Sequence, residues 1–366
     1  VTVAKMTPTI SGEFCRVRTT DALELNGFYC APGSRRPVPG PRSLTPDPIC
    51  LVHVHGWDGN FYENRFIDHA AEVCARRGIG FLTGNNRGHD YIADLLRCKP
   101  GKRNRQERQG RQVARTNGQE DDNRYDYVQI GGMYEKLADS VADIKAWVDF
   151  VVGRGANQVI LQGHSHGAIK VVHYLTTTGD PRVCGLVLLS PSDDMGIARR
   201  QLGERFPWVL ARAREMTSKG SGRKLLPEKD LQYPVSAATF FDCHNKDSMT
   251  GIFNMSRTNR QEFPELASIS VPVLLAVGTV EEAFVGAPQK YVGDIRACMV
   301  NCPSFTGAVI DGAPHNYLGR EDALASVLRK WLGVRIKGKV SRRARASDQV
   351  AGGSLQVRSG TGKRGS

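Results

Sequence analysis

No apolar run in the 366-residue sequence approaches the roughly 20 residues that cross a bilayer. The first residues, VTVAKMTPTISGEF, lack the continuous apolar core of a secretory signal, so a cytoplasmic setting is expected. No internal repeat is present, which excludes solenoid and propeller architectures. The nine cysteines, an odd count with no repeated spacing, do not make a disulfide framework and read as free thiols in a reducing compartment. Cys298 and Cys302 are near enough for a local pair but read as buried thiols. Aromatic residues make up only 7% of the chain, and none falls where the basic residues concentrate. Base stacking needs that interleaving, so no specific nucleic-acid partner is expected.

The net charge of +13 is local. Arg97–Arg115 and Lys337–Ser366 each carry eight Lys or Arg against one acidic residue, leaving the remainder of the chain close to neutral. Residues 97–124 read as a basic, flexible insertion, and 334–366 as a basic, disordered tail. Neither puts charge on a face of the folded core. At most they give weak, salt-sensitive attraction to polyanions.

With 40% hydrophobic residues the chain can bury one large α/β core. Residues 1–48 read as a β-meander, with period-two alternation over 13–18 and 23–29 and a proline-rich connection after Ala31. Residues 49–194 read as the first part of the core: buried strands at 49–54, 79–83, 159–161 and 183–189, with amphipathic helices over 64–77 and 134–151. From 195 to 269 the strand–helix rhythm breaks, as in a cap inserted above the sheet edge. It returns over 270–333 with strands at 271–278 and 306–310 and a closing helix at 322–332. The polar loop Asn85–Asp90 is expected to be anchored by Arg87 and Asp90, with His89 near the ligand crevice.

The most informative stretch is Gln158–Val172, QVILQGHSHGAIKVV. An apolar strand, a tight Gly-x-Ser-x-Gly turn and a helix are the context a nucleophile elbow requires. The two glycines let strand and helix backbones nearly touch, lifting Ser165 above the sheet edge. A serine needs a base, and the base a group to hold it. His315 follows the last strand and Glu281 the one before, so nucleophile, acid and histidine occur in the order this fold plan demands. Glu282, Asp193 and Asp194 are the reserve acids. The backbone N–H groups of Trp57, in the His-Gly turn after an early strand, and of His166, next after the serine, are the natural oxyanion donors. His164 and His166 flank Ser165 too closely to be its base and are expected to pack around the elbow. The His53-x-His55 spacing is read as two rings directed apart, so neither metal nor cofactor is expected.

The segments LVHVHGW, NNRGHD, GHSHG, LLSPSDD, VLLAVGTVEE and DGAPH together resemble the α/β-hydrolase superfamily across about Ile49–Leu332. GHSHGAIKVVHYL, PRVCGLVLLSPSDD and YPVSAATFF further resemble the domain-of-unknown-function group that includes fungal siderophore (fusarinine) esterases. The resemblance implies an α/β-hydrolase fold, a mostly parallel central sheet with helices on both faces and a cap insertion. It also implies cofactor-independent hydrolysis of a small-molecule carboxylic ester, with hydroxamate-type siderophores as one substrate class. Where the superfamily usually holds Asp, this chain has Glu281. Thioesterase, amide or peptide hydrolase and C–C bond hydrolase activities would use the same three residues, and non-catalytic ligand-binding relatives share the fold.

Overall fold

The computed structural model describes residues 8–33, 48–99, 125–227, 231, 233–255 and 263–334. Ten strands are present among them: β1 (Glu13–Arg18), β2 (Glu24–Cys30), β3 (Ile49–Val54), β4 (Gly80–Gly84), β5 (Ala93–Cys98), β6 (Tyr125–Ile130), β7 (Gln158–His164), β8 (Val183–Leu189), β9 (Val273–Val280) and β10 (Phe305–Pro314). Eight form one sheet in the order β1-β2-β4-β3-β7-β8-β9-β10. The hairpin β1–β2 is antiparallel and joins β4 antiparallel, and every other pairing in the sheet is parallel.

Parallel strands must be covered on both faces, so their sequences are continuously apolar and alternate residues serve opposite layers. Val159 and Leu161 of β7 enter one core with helices α2 (Ser140–Gly153) and α3 (His166–Thr178), through Ile144, Trp147, Val148, Ile169 and Val172. Ile160 enters the other core with α1 (Phe66–Arg76) and the closing helix at 321–334, through Phe66, Ala70, Leu328 and Trp331. Full burial of each such aliphatic side chain contributes about 1.5–3 kcal/mol.

Between β8 and β9 the chain forms a small helical unit with its own apolar cluster. Met195 and Leu202 of α4 (Asp194–Leu202), Phe206 and Val209 of α5 (Phe206–Ser218), and Phe240 of α6 (Ala237–His244) pack together, with Trp57 against them. The helical stretch from Asp194 to Ser218 is thus two α-helices. Gly203, at φ +54°, breaks it, and a proline in the first turn restarts it as α5.

Two readings need correction. Two 3-10 turns, Gly132–Tyr134 and Leu137–Asp139, replace the start of the helix expected over 134–151. The Asp242 carboxylate takes the Leu137 N–H, so the α-helix proper begins at Ser140. Residues 97 and 98, assigned to the flexible insertion, end strand β5, which pairs with β6 in a separate antiparallel hairpin. Arg97 there bonds Asp126 through two nitrogens, so its charge is matched across the hairpin. The rest of the basic insertion, 100–124, lies outside the described residues, as do the tail from 335 onward and parts of the N-terminal segment, 1–7 and 34–47. None of the nine cysteines forms a disulfide, Cys298 and Cys302 included. No helix among the described residues is long and apolar enough to cross a membrane.

Candidate active site

From Val159 to Tyr174 every residue is buried except Ser165. The serine stands between β7 and α3 at φ +56°, ψ −128°, a backbone conformation that β-carbon residues avoid without surrounding constraint. The constraint is visible in the two glycines. A Cβ on Gly163 would lie 2.2 Å from the Gly167 carbonyl oxygen, and one on Gly167 would lie 2.3 Å from that of Val54. Strand, elbow helix and β3 therefore close on one another with no space left, and the turn has no freedom to relax. Gly56, in the turn after β3, faces the serine: a Cβ there would lie 3.0 Å from that of Ser165.

Glu281 and His315 are brought together. The Glu281 Oε1 atom is 2.7 Å from His315 Nδ1 and also accepts the N–H groups of Glu282 and Ala283, both at 3.1 Å. The Glu281 side chain is wholly buried, that of His315 one-quarter exposed. Burial alone would raise the Glu281 carboxyl, but bonds and charge from His315, with the Ala283 N–H, hold it below the usual glutamate range. An ionised carboxylate only accepts, so Nδ1 carries the imidazole proton and Nε2 is left as a base. The loop behind is braced by Tyr317, fully buried at φ +57°, whose O–H donates to the Ala276 carbonyl and accepts from Ser190.

His164 links this pair to the elbow. Its Nε2–H donates to the His315 carbonyl at 2.9 Å, and the two rings lie 4.8 Å apart between centroids. Phe66 packs on its other side. His166 bonds Asp194 at 2.6 Å, which occupies that reserve acid with a partner other than His315. Asp193 accepts the Gly196 N–H as the cap of α4, and Glu282 is exposed, its carbonyl accepting from Arg200. Of the four carboxylates considered, Glu281 is the one bonded to His315. The His166 N–H begins a helix and has no intrahelical acceptor.

Residues two apart share a face on a regular strand, so the reason given for discounting His53-x-His55 does not hold. The rings are engaged separately instead. His53 Nδ1 meets the Gln162 side-chain amide at 3.0 Å, while His55 Nε2 accepts the Asn86 N–H at 2.9 Å. Arg87 anchors its loop as expected, to Asp143 and Asp21, and Asp90 bonds His89. Sequence reasoning passed over Lys170 and Glu135, a fully buried ion pair at 2.6 Å beside the Gly56 turn. The available signal was a lysine inside the run Ala168-Ile169-Lys170-Val171-Val172, on a helix with no wet face at that turn.

The buried histidines make a prediction. Desolvation lowers the His53 pKa from 6.5 to about 3, and holds His55 and His164 well below the usual value. Between those values and pH 6.5 the unfolded chain takes up protons that the folded one refuses. Stability is therefore at its full value above pH 6.5 and falls with acidification, by about 1.4 kcal/mol per pH unit for each histidine. Unfolding free energies from urea titrations at pH 7 and pH 5 should differ by the sum, and a flat profile would refute the assignment.

An eight-stranded, mostly parallel sheet carrying a strand–elbow–helix at β7 defines the α/β-hydrolase fold. Among solved structures, Est1E from Butyrivibrio proteoclasticus with bound ferulic acid has a TM-score of 0.55 at 18% identity, covering 88% of this chain and 100% of that one. A second Est1E structure gives 0.50 at 16% identity, over 89% and 100%. DcsB in complex with its substrate analogue gives 0.51 at 12%, over 87% and 99%. Identities this low speak for the fold. No curated protein matches the sequence. Residues 130–334, more than half the chain, match the family described as "Protein of unknown function (DUF1749)", and the protein belongs to that family.

Proposed function

We propose that the protein is a serine hydrolase that cleaves a carboxylic ester through an acyl-enzyme intermediate. The carrying observation is Ser165 as the one accessible residue of a buried strand–helix junction, with the His315–Glu281 pair tied to the adjacent His164. Ser165 Oγ attacks the ester carbonyl while His315 Nε2 takes its proton. Glu281 stabilises the imidazolium that forms. The Trp57 and His166 N–H groups hold the negative oxygen of the tetrahedral intermediate. His315 then protonates the departing alcohol and activates the water that releases the acid. No step calls for a cofactor.

A fluorophosphonate probe tests this directly. Wild type is expected to be labelled at Ser165, Ser165→Ala not at all, and His315→Ala far more slowly. Absence of labelling in folded wild type would sink the mechanism. An ester panel graded by acyl length would then define the substrate.

A further inference from the structure

The Gly56–Trp57 peptide is held from behind. His55 Nε2 accepts the Asn86 N–H, so the ring proton sits on Nδ1 and is donated to the Gly56 carbonyl at 2.8 Å. The ammonium of Lys170 lies 3.5 Å from the same oxygen, too long for a strong bond but close enough for charge to act in a dry setting. A trans peptide is planar, with its N–H opposed to its C=O. Fixing the Gly56 carbonyl toward His55 and Lys170 therefore fixes the Trp57 N–H in the opposite direction. If that peptide flipped, a carbonyl oxygen would take the donor's place and repel the developing oxyanion.

We propose that His55, Lys170 and Glu135 are positioning residues that hold the Trp57 N–H as an oxyanion donor. The inference rests on the hydrolase reading above and deepens it. Lys170 and Glu135 are 0% and 2% exposed at the side chain and 2.6 Å apart. Burying such a pair costs several kcal/mol per ion in lost hydration, and an apolar pair of similar size is often as stable or more so. An ion pair buried at that cost is weak evidence for a stabilising role. The location supplies another. Lys170 stands on α3, whose first residue offers the His166 N–H, so one helix references both donors. Glu135 is lodged against Gly88, where a Cβ would come within 2.1 Å of its carboxylate. The indole N–H of Trp57 donates to the Gly132 carbonyl at 2.6 Å, which steadies the turn from its other end.

The test compares Lys170→Met with the double variant Lys170→Met/Glu135→Leu, using steady-state kinetics on a p-nitrophenyl ester and the rate of inactivation by the fluorophosphonate probe. A displaced oxyanion donor should lower kcat by about 10- to 100-fold, somewhat less than outright loss of a donor, with KM within about threefold. Inactivation should slow in the same proportion, because the phosphonyl oxygen occupies the same place. The double variant should melt at or above the wild-type temperature and still be slow. A stable double variant with wild-type kcat would overturn the inference, since the pair would then be structural only. Should Lys170→Met alone fail to fold, the double variant still decides. Failure of the hydrolase reading itself is seen separately, as a wild type that does not react with the probe.

Discussion

On the proposed mechanism, replacing Ser165 or His315 with alanine is expected to lower kcat toward an ester by about a millionfold, and replacing both to cost no more than replacing one. In that mechanism the two act as a unit. Without the serine there is no acyl-enzyme, and without the imidazole nothing removes the hydroxyl proton at neutral pH. Glu281→Gln has a smaller effect, about 10⁴-fold, because a carboxamide can present its N–H to Nδ1 and favour the wrong tautomer. The buried setting of Glu281 and its three hydrogen bonds at Oε1 make the comparison clean. Glu282→Gln leaves kcat unchanged, since that side chain faces solvent. Purified variants assayed on a p-nitrophenyl ester, with circular dichroism to verify folding, settle the matter. Near-normal turnover in Glu281→Gln beside a dead Asp194→Asn would move the acid role to Asp194.

Gly163→Ala and Gly167→Ala are expected to destabilise the protein by about 4 kcal/mol or more, the range reserved for forced core overlap. In each the new methyl meets backbone atoms 2.2–2.3 Å away, which cannot swing aside as a side chain would. Separating β7 from α3, or α3 from β3, would also unseat Ser165, so activity falls with stability. Gly293→Ala is the counterpart. Gly293 lies inside α7 (Pro288–Cys298) with open space where a Cβ would go, and the same change there should stabilise by about 0.8–1 kcal/mol. Chemical denaturation of the three variants reads both signs. An elbow alanine variant as stable as wild type would mean that the close approach is looser than described.

The elbow was legible in sequence because three signals coincide there: an apolar run, a doubled glycine constraint and a resumption of apolar residues. The pairing of Glu281 with His315 was legible because each follows a buried strand with little intervening chain. The β5–β6 hairpin was not. Ala93–Cys98 and Tyr125–Ile130 have weak alternation, and a long basic stretch separates partners that meet in space. The onset of α2 was missed for a related reason. Helical spacing continues through residues 134–139, and what stops it is Asp242, more than a hundred residues downstream. Lys170 escaped attention because a lone lysine is ordinarily a solvent residue. Its partner Glu135 and its long contact with Gly56 exist only in three dimensions.

β10 is the outermost strand on its side of the sheet, and edge strands are where a fold loosens first. His315 follows directly from that strand, yet its carbonyl is fastened to His164, three strands inward on β7. Breathing of the sheet margin is thus decoupled from the gap between nucleophile and base, a gap whose widening by 1 Å can slow a reaction about a hundredfold. On heating, the proposed activity and the fold are then expected to fail together at one temperature, where an untethered histidine loop would let turnover fade well before the protein melts.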